Sequence, residues 1–350
     1  MNALSERIAR LIQAQGPITV AQYMTMALHD PQHGYYATRD PFGVRGDFIT
    51  SPEISQMFGE LLGLWIAQCW LDQGSPAKAI LMELGPGRGT LMADALRATR
   101  NVPGFHAALE VMLVEASPVL RAIQQEVLKD CGVKVRWESV FDPDRIDRPL
   151  FLLTNEFFDA LPIRQFVKTG RGWHERMVTL DTDGALAFAL TPEPLPIRVP
   201  DRGPAEPGAV FELCTQANTV AETIADRIVH EGGAALIVDY GYGAEAGYGE
   251  TLQALRGQAF APLLDAPGEA DLSAHVDFAS LAYAAQEEGG GTVFGPVPQG
   301  ELLDRLGIAI RAAKLGQEDA RERLTSPAQM GTLFKALAIL PYGARKPEGF

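Results

Sequence analysis

Ile80-Leu81-Met82-Glu83-Leu84-Gly85-Pro86-Gly87-Arg88-Gly89-Thr90 is an apolar run that empties into three alternating glycines. Ala79 to Leu84 reads as a buried strand and Leu91 to Thr99 as a helix behind it. Glycines at 85, 87 and 89 let the backbone turn tightly and approach a ligand that a Cβ would push away. A nucleoside cofactor belongs at such a turn. The G-x-G-x-G spacing departs from the dinucleotide fingerprint G-x-G-x-x-G, and the Lys-Ser/Thr ending of a triphosphate loop is missing. Glu83 at the strand end would repel a pyrophosphate but suits an ammonium or a sulfonium, which favours S-adenosylmethionine over NAD. Glu83, Gly85, Pro86, Gly87, Gly89 and Thr90 are therefore cofactor-binding candidates.

The neighbouring segments alternate strand and helix. Leu109 to Val114, Val133 to Trp137 and Pro149 to Leu153 are apolar strands, and Val119 to Lys129 is a helix between the first two. Strands without polar alternation are buried on both faces, so the expectation is a parallel sheet covered by helices, the doubly wound α/β architecture. Ligands in such sheets sit outside the carboxyl ends of the strands. Glu115 ends the second strand, where a carboxylate can accept both ribose hydroxyls. The third ends at Trp137-Glu138-Ser139-Val140, where Glu138 or a backbone amide would meet the adenine edge; Glu138 and Ser139 join the cofactor candidates.

The fourth strand ends Leu153-Thr154-Asn155-Glu156-Phe157-Phe158-Asp159-Ala160-Leu161-Pro162, which aims Asn155 and Glu156 at the reaction space. A helical turn there would bring Glu156 and Asp159 to one side. Paired carboxylates suit a cationic nitrogen, which they orient and whose displaced proton they can receive. Guanidinium is the demanding case, because its pKa exceeds 12 and its planar donors match carboxylates bidentately. Asn155, Glu156 and Asp159 are the catalytic candidates. Asp239-Tyr240-Gly241-Tyr242 follows another buried strand, Ala234 to Asp239, and makes Asp239 and Tyr240 candidates for the acceptor pocket or for structure alone.

Residues 1–75 read as an N-terminal helical region. Leu4, Ile8, Leu11 and Ile12 form one apolar stripe, Thr19 caps a second helix to about Leu28, and Pro52 begins a long third. Between them, residues 29–52 carry the Pro and Gly density of a functional loop. Residues 76–162 form the first part of the α/β domain. Residues 163–210 read as an inserted hairpin, Gln165 to Lys168 and Trp173 to Leu180 answered by Ala185 to Leu190, followed by a proline-rich excursion. Residues 211–350 complete the domain, with helices at about 211–230, 278–288, 302–305 and 328–337. Trp65 and Trp70 read as core.

The chain has 350 residues, 47% of them hydrophobic and 21% charged, which excludes disorder as the dominant state. Thirty basic residues against forty-four acidic give a net charge of −14, which disfavours nucleic acid as a partner. Cys69, Cys131 and Cys214 lie far apart, so neither a disulfide framework nor a zinc site is expected. Pro31 breaks any helix that could bring His29 and His33 to a metal. No apolar stretch is long enough to insert in a membrane.

Several ordered motifs resemble the MidA-type S-adenosylmethionine-dependent methyltransferases. They are His29-Asp-Pro-Gln-His-Gly-Tyr-Tyr36, Gly46-Asp-Phe-Ile-Thr-Ser-Pro-Glu-Ile54, Glu83 to Thr90, Asn155 to Pro162 and Asp239 to Tyr242. Ala270-Asp-Leu-Ser-Ala-His-Val-Asp-Phe278, Gly295-Pro-Val-Pro-Gln-Gly300 and Met330-Gly-Thr-Leu-Phe-Lys335 continue the match over nearly the whole chain. Ser273 stands where threonine is expected. The mitochondrial members of that family are the complex I assembly factor that methylates an arginine on a complex I subunit. The resemblance implies a class I methyltransferase-like, Rossmann-type fold and S-adenosyl-L-methionine as cofactor. It also implies a lid over the cofactor that includes Gly46, Asp47, Thr50 and Ser51. A protein substrate is implied, with a subunit of the complex I 49-kDa type as first candidate. A start directly at the first helix, without a transit-peptide-like extension, implies a bacterial, cytoplasmic member. The 165–190 hairpin and the C-terminal helices offer surfaces for a homodimer.

Three other readings stay open. Asn155 suits a methyltransferase of an amide or amino nitrogen, a NAD(P)-dependent oxidoreductase is disfavoured by the loop spacing, and an assembly chaperone could keep the cofactor fold without turnover.

Overall fold

Ala79–Leu84 runs through the middle of an eight-stranded sheet in the computed structural model, which describes residues 2–38, 49–244 and 247–350. Gly46 and Asp47 lie outside the described residues. Ala79–Leu84 pairs in parallel with Leu109–Val114 on one side and with Leu150–Asn155 on the other. Lys134–Glu138 extends the first side, and Gly233–Tyr242 the second, both parallel. Phe334–Leu340 then lies antiparallel to Gly233–Tyr242, and Thr292–Pro298 closes that edge. In chain order, these seven strands sit as 3-2-1-4-5-7-6, with the two-residue strand Val276–Asp277 beside the end of Gly233–Tyr242. The order reverses between Ala79–Leu84 and Leu150–Asn155, and the crevice at that switch point is where such sheets bind ligands.

Both faces of the sheet are dry, which is why its strands carry no polar alternation. Leu81, Leu113, Phe151, Leu153 and Leu236 point to one side, under helices Gln56–Asp72 and Thr90–Thr99. Ile80, Met82, Met112, Leu152 and Ile237 point to the other, under helix Thr215–Glu231 and the segment 278–288. Each such side chain contributes about 1.5–3 kcal/mol through burial. A Cβ at Gly63 would stand 2.5 Å from Ala95 Cα, so glycine there lets the two covering helices touch. Trp65 and Trp70 are core residues, as expected.

A third core joins the N-terminal helices, Ala3–Gln15 and Val20–His29, to two small antiparallel sheets. One comprises Ile18–Thr19, Arg164–Thr169, Gly172–Leu180, Leu186–Leu190 and Val210–Leu213; the other comprises Gln253–Arg256, Ala259–Ala261 and Asp271–Ser273. Thr19 caps the second helix through a reciprocal capping box with Gln22.

Three expectations are corrected. The helix from Pro52 is broken at Ser55, whose extended backbone (φ −161°) ends the short helix Ser51–Ile54 and whose hydroxyl caps Gln56–Asp72. Residues 210–213 are a strand paired with Arg164–Thr169, and the helix begins only at Thr215. The helix expected over 328–337 is one turn, Met330–Leu333, followed by the strand Phe334–Leu340. Ala336 and Ala338 read as helix formers, but sandwiching between two covered faces overrides that propensity.

Candidate active site

The glycine turn takes the form that its composition requires. Gly85, Gly87 and Gly89 all have left-handed φ, +63°, +52° and +83°, and a Cβ on Gly85 would meet the Phe157 ring at 2.9 Å. Gly89 N–H donates to the Pro86 carbonyl at 2.7 Å, and Gly89 caps helix Thr90–Thr99, whose positive end faces the turn. Thr90 is turned another way. Its hydroxyl donates to Glu53 Oε1 at 2.5 Å, and Arg88 reaches the same carboxylate at 3.7 Å.

Glu83 is 2% exposed, and its Oε2 has no hydrogen-bond partner. Burial, reinforced by the nearby Glu115, pushes its carboxyl up to about 8. A buried carboxylate with an open oxygen beside a glycine cradle fits a cationic ligand group. Burial also raises Glu115, although Ser117 N–H (2.7 Å) and Gln124 Nε2 (3.3 Å) donate to its two oxygens. The same Gln124 Nε2 donates to the Gly87 carbonyl at 2.7 Å, while its Oε1 accepts from Trp137 Nε1 at 2.9 Å. Gln124 thus locks the glycine turn, Glu115 and the third strand together. Sequence reading passed over it, because one glutamine in an amphipathic helix carries no signal until its neighbours are known. Glu138 faces Arg145 at 3.7 Å, and the Ser139 hydroxyl accepts from Arg121 at 2.9 Å, so both side chains already have protein partners.

At the end of Leu150–Asn155 the chain makes a sharp turn. Glu156 has φ +52°, rare for a residue with a side chain and a mark of local strain. Its Oε1 accepts from Ser51 N–H (3.1 Å) and Asn155 Nδ2 (2.9 Å). The turn is held from below by Asp239, whose Oδ2 accepts from the N–H groups of Phe157, Phe158 and Asp159 at 3.1, 2.9 and 3.3 Å. Asp239 is 0% exposed, and its Oδ1 takes the Tyr240 N–H at 2.9 Å. As a candidate for substrate contact it is corrected: its oxygens hold backbone, and it positions the turn.

Glu156, Asp159 and Tyr240 line one cleft of about 310 Å³, together with Thr50, Tyr36, Asp271 and His275. Burial and the adjacent Asp159 push the Glu156 carboxyl up to about 7; burial pushes Asp159 up to about 6, against the Tyr240 hydroxyl. Asp159 Oδ1 and Asn155 Oδ1 are buried without partners. Tyr36 and Asp271 belong to motifs noticed in the sequence, but their place opposite the fourth strand needed the N-terminal helices docked. Of the expected lid, Thr50 lines this cleft and Ser51 holds Glu156.

Among the described residues no helix is long and apolar enough to cross a membrane. The model of a family of S-adenosyl-L-methionine-dependent methyltransferases matches residues 61–297. The chain is 36% identical over 372 residues to the protein arginine methyltransferase NDUFAF7, mitochondrial, of Danio rerio, covering 97% of this chain and 87% of that protein. It is 37% identical over 365 residues to the Homo sapiens protein of the same name, covering 95% and 82%. The crystal structure of a COG1565 superfamily member from Burkholderia thailandensis bound to S-adenosyl-homocysteine superposes with a TM-score of 0.88 at 29% identity, over 99% of this chain and 94% of that one. The glycine cradle, the open oxygen of Glu83 and these matches agree: the chain belongs to this methyltransferase family and uses S-adenosyl-L-methionine.

Proposed function

We propose that the protein is a protein arginine N-methyltransferase. The observation that carries this reading is the cleft itself. Glu156 presents a carboxylate with one oxygen clamped by Ser51 and Asn155, beside Asp159 with an unpartnered oxygen, at the sheet edge next to the glycine turn. The arginine relatives supply independent support for the acceptor.

S-adenosyl-L-methionine, when bound, supplies a methyl group on a cationic sulfur. Glu83 would hold its ammonium, with the N–H groups of the turn 85–89 alongside, and Glu115 its ribose hydroxyls. Thr90 and Ser139 would contribute only backbone, since their hydroxyls are engaged. Glu156 Oε2 and Asp159 Oδ1 would take guanidinium N–H donors and turn one nitrogen toward the methyl. Glu156, poised near neutrality, would receive the proton that the methylated nitrogen releases. The positive charge is already present before transfer, so these carboxylates orient and accept more than they create charge.

The partner we infer is a folded protein presenting an arginine, with a complex I subunit of the 49-kDa type as first candidate. Three free cysteines suit a reducing compartment, such as the cytoplasm of a bacterium. A second reading rests on Asn155, whose open Oδ1 could accept from an amide or amino acceptor instead. Glu156→Gln decides between enzyme and chaperone. We expect methyl transfer to an arginine substrate to fall at least about 100-fold, the scale of a lost general base, with cofactor affinity kept. Full turnover in Glu156→Gln, or transfer only to asparagine, glutamine or lysine substrates, would overturn the arginine assignment.

A further inference from the structure

The wall of the cleft opposite the fourth strand is a three-residue strand, Asp271–Ser273. Strand periodicity sends Asp271 and Ser273 to the same side and Leu272 to the other, where it is buried against the N-terminal helices. The two polar side chains each meet a tyrosine. Asp271 Oδ1 accepts from the Tyr36 hydroxyl at 2.7 Å, and Ser273, which takes Gln253 Nε2 at 3.5 Å, lies at the Tyr240 hydroxyl. The Tyr240 ring is fixed edge-on between His275 (5.3 Å) and Phe334 (5.6 Å). Tyr36 and Tyr240 therefore stand among the carboxylates of Asp159 and Asp271.

We propose that Asp271, oriented by Tyr36, is a substrate-binding carboxylate that completes a three-sided acidic cage with Glu156 and Asp159 and selects a guanidinium over an ammonium. This rests on the arginine reading above. An ammonium offers three donors from one nitrogen, which a single carboxylate pair satisfies. A guanidinium spreads five donors around a plane and can bond carboxylates on two walls at once. Asp271 is 3% exposed, so a third carboxylate in this small cleft is costly unless a cation meets it. The rim supplies what an arginine stem needs. Leu255, Phe260 and Leu333 line the same cleft, and Phe260 and Leu333 stay 78% and 45% exposed. Three methylenes can lie on that rim while the charged head reaches the floor.

The test uses the full chain saturated with S-adenosyl-homocysteine and titrated calorimetrically with methylguanidine and with methylammonium. Initial rates on an arginine peptide and on its lysine counterpart accompany it. In Asp271→Asn we expect the acceptor KM to rise at least about tenfold, kcat to stay within about threefold, cofactor affinity to be unchanged, and the preference for methylguanidine over methylammonium to shrink. Tyr36→Phe, which removes only a hydroxyl, should raise KM by a smaller factor in the same direction; it carries the test if Asp271→Asn does not fold. An acceptor KM within twofold of wild type in both variants, or a fall in kcat with KM unchanged, overturns the role of Asp271 and leaves the arginine reading standing. A wild-type protein that neither binds methylguanidine nor methylates the arginine peptide overturns both.

Discussion

The backbone N–H of Ser51 donates to Glu156 Oε1 over 3.1 Å, across a sequence separation of 105 residues. The same four-residue helix, Ser51–Ile54, carries Glu53, which holds Thr90 at 2.5 Å and Arg88 at 3.7 Å. One short segment thus ties the glycine turn to the carboxylate that faces the acceptor. Whatever moves the turn moves Glu156.

Glu53→Gln should therefore impair both ends of the site. Loss of charge-assisted bonds of about 1.5–3 kcal/mol predicts cofactor affinity weaker by about tenfold or more, and a comparable fall in kcat although Glu53 does not line the acceptor cleft. Calorimetry with S-adenosyl-homocysteine and single-turnover rates at saturating cofactor separate the two effects. A kcat equal to wild type would sever the proposed tie.

Proton linkage should be visible in stability as well as rate. Glu83 ionises near 4.5 in an unfolded chain but only near 8 in the folded one, so between those values the folded state holds more protons. Stability of the ligand-free protein must then fall as pH rises through that window, and Glu156, raised from 4.5 to about 7, acts in the same direction. Thermal melts from pH 5 to 8 should show a declining Tm, and Glu83→Gln should flatten the decline. Turnover runs the opposite way, rising toward a plateau above about pH 7 as Glu156 ionises. A ligand-free Tm that climbs over this range would contradict the buried-carboxyl account.

Gln124 offers a test of the cofactor side alone. Gln124→Leu keeps the volume roughly constant but strands the Gly87 carbonyl, one Glu115 oxygen and the Trp137 N–H. Unsatisfied buried groups cost about 1–3 kcal/mol each, so affinity for S-adenosyl-homocysteine should drop by about 10- to 100-fold while the acceptor KM holds. An affinity within twofold of wild type would show that the turn keeps its shape without this hub.

Local pattern was enough for the central strands and the glycine turn. Ala79–Leu84 and Leu109–Val114 have apolar runs whose length and bounding glycines admit no other element, and φ > 0 at Gly85, Gly87 and Gly89 follows from composition. Where both periodicities fitted the same letters, reading failed. Phe334–Leu340 has alanines that suit a helix in isolation, and only the adjacent Gly233–Tyr242 makes it a strand. Asp239 illustrates the limit for side chains. Its position at a strand end was legible, but three amide groups from the neighbouring strand's turn decide that it holds backbone.

Residue order alone carried the doubly wound sheet, the nucleoside turn with Glu83 and Glu115, and the Glu156–Asp159 pair, because strand period, glycine conformation and charge at strand ends are local properties. The acceptor cleft is different in kind. Tyr36, Ser51, Glu156, Tyr240 and Asp271 come from five separate segments, and the contacts joining them form only when the N-terminal helices dock on the small sheets beside the switch point. Long-range packing sets those distances, and neither periodicity nor propensity encodes them in any one stretch of chain.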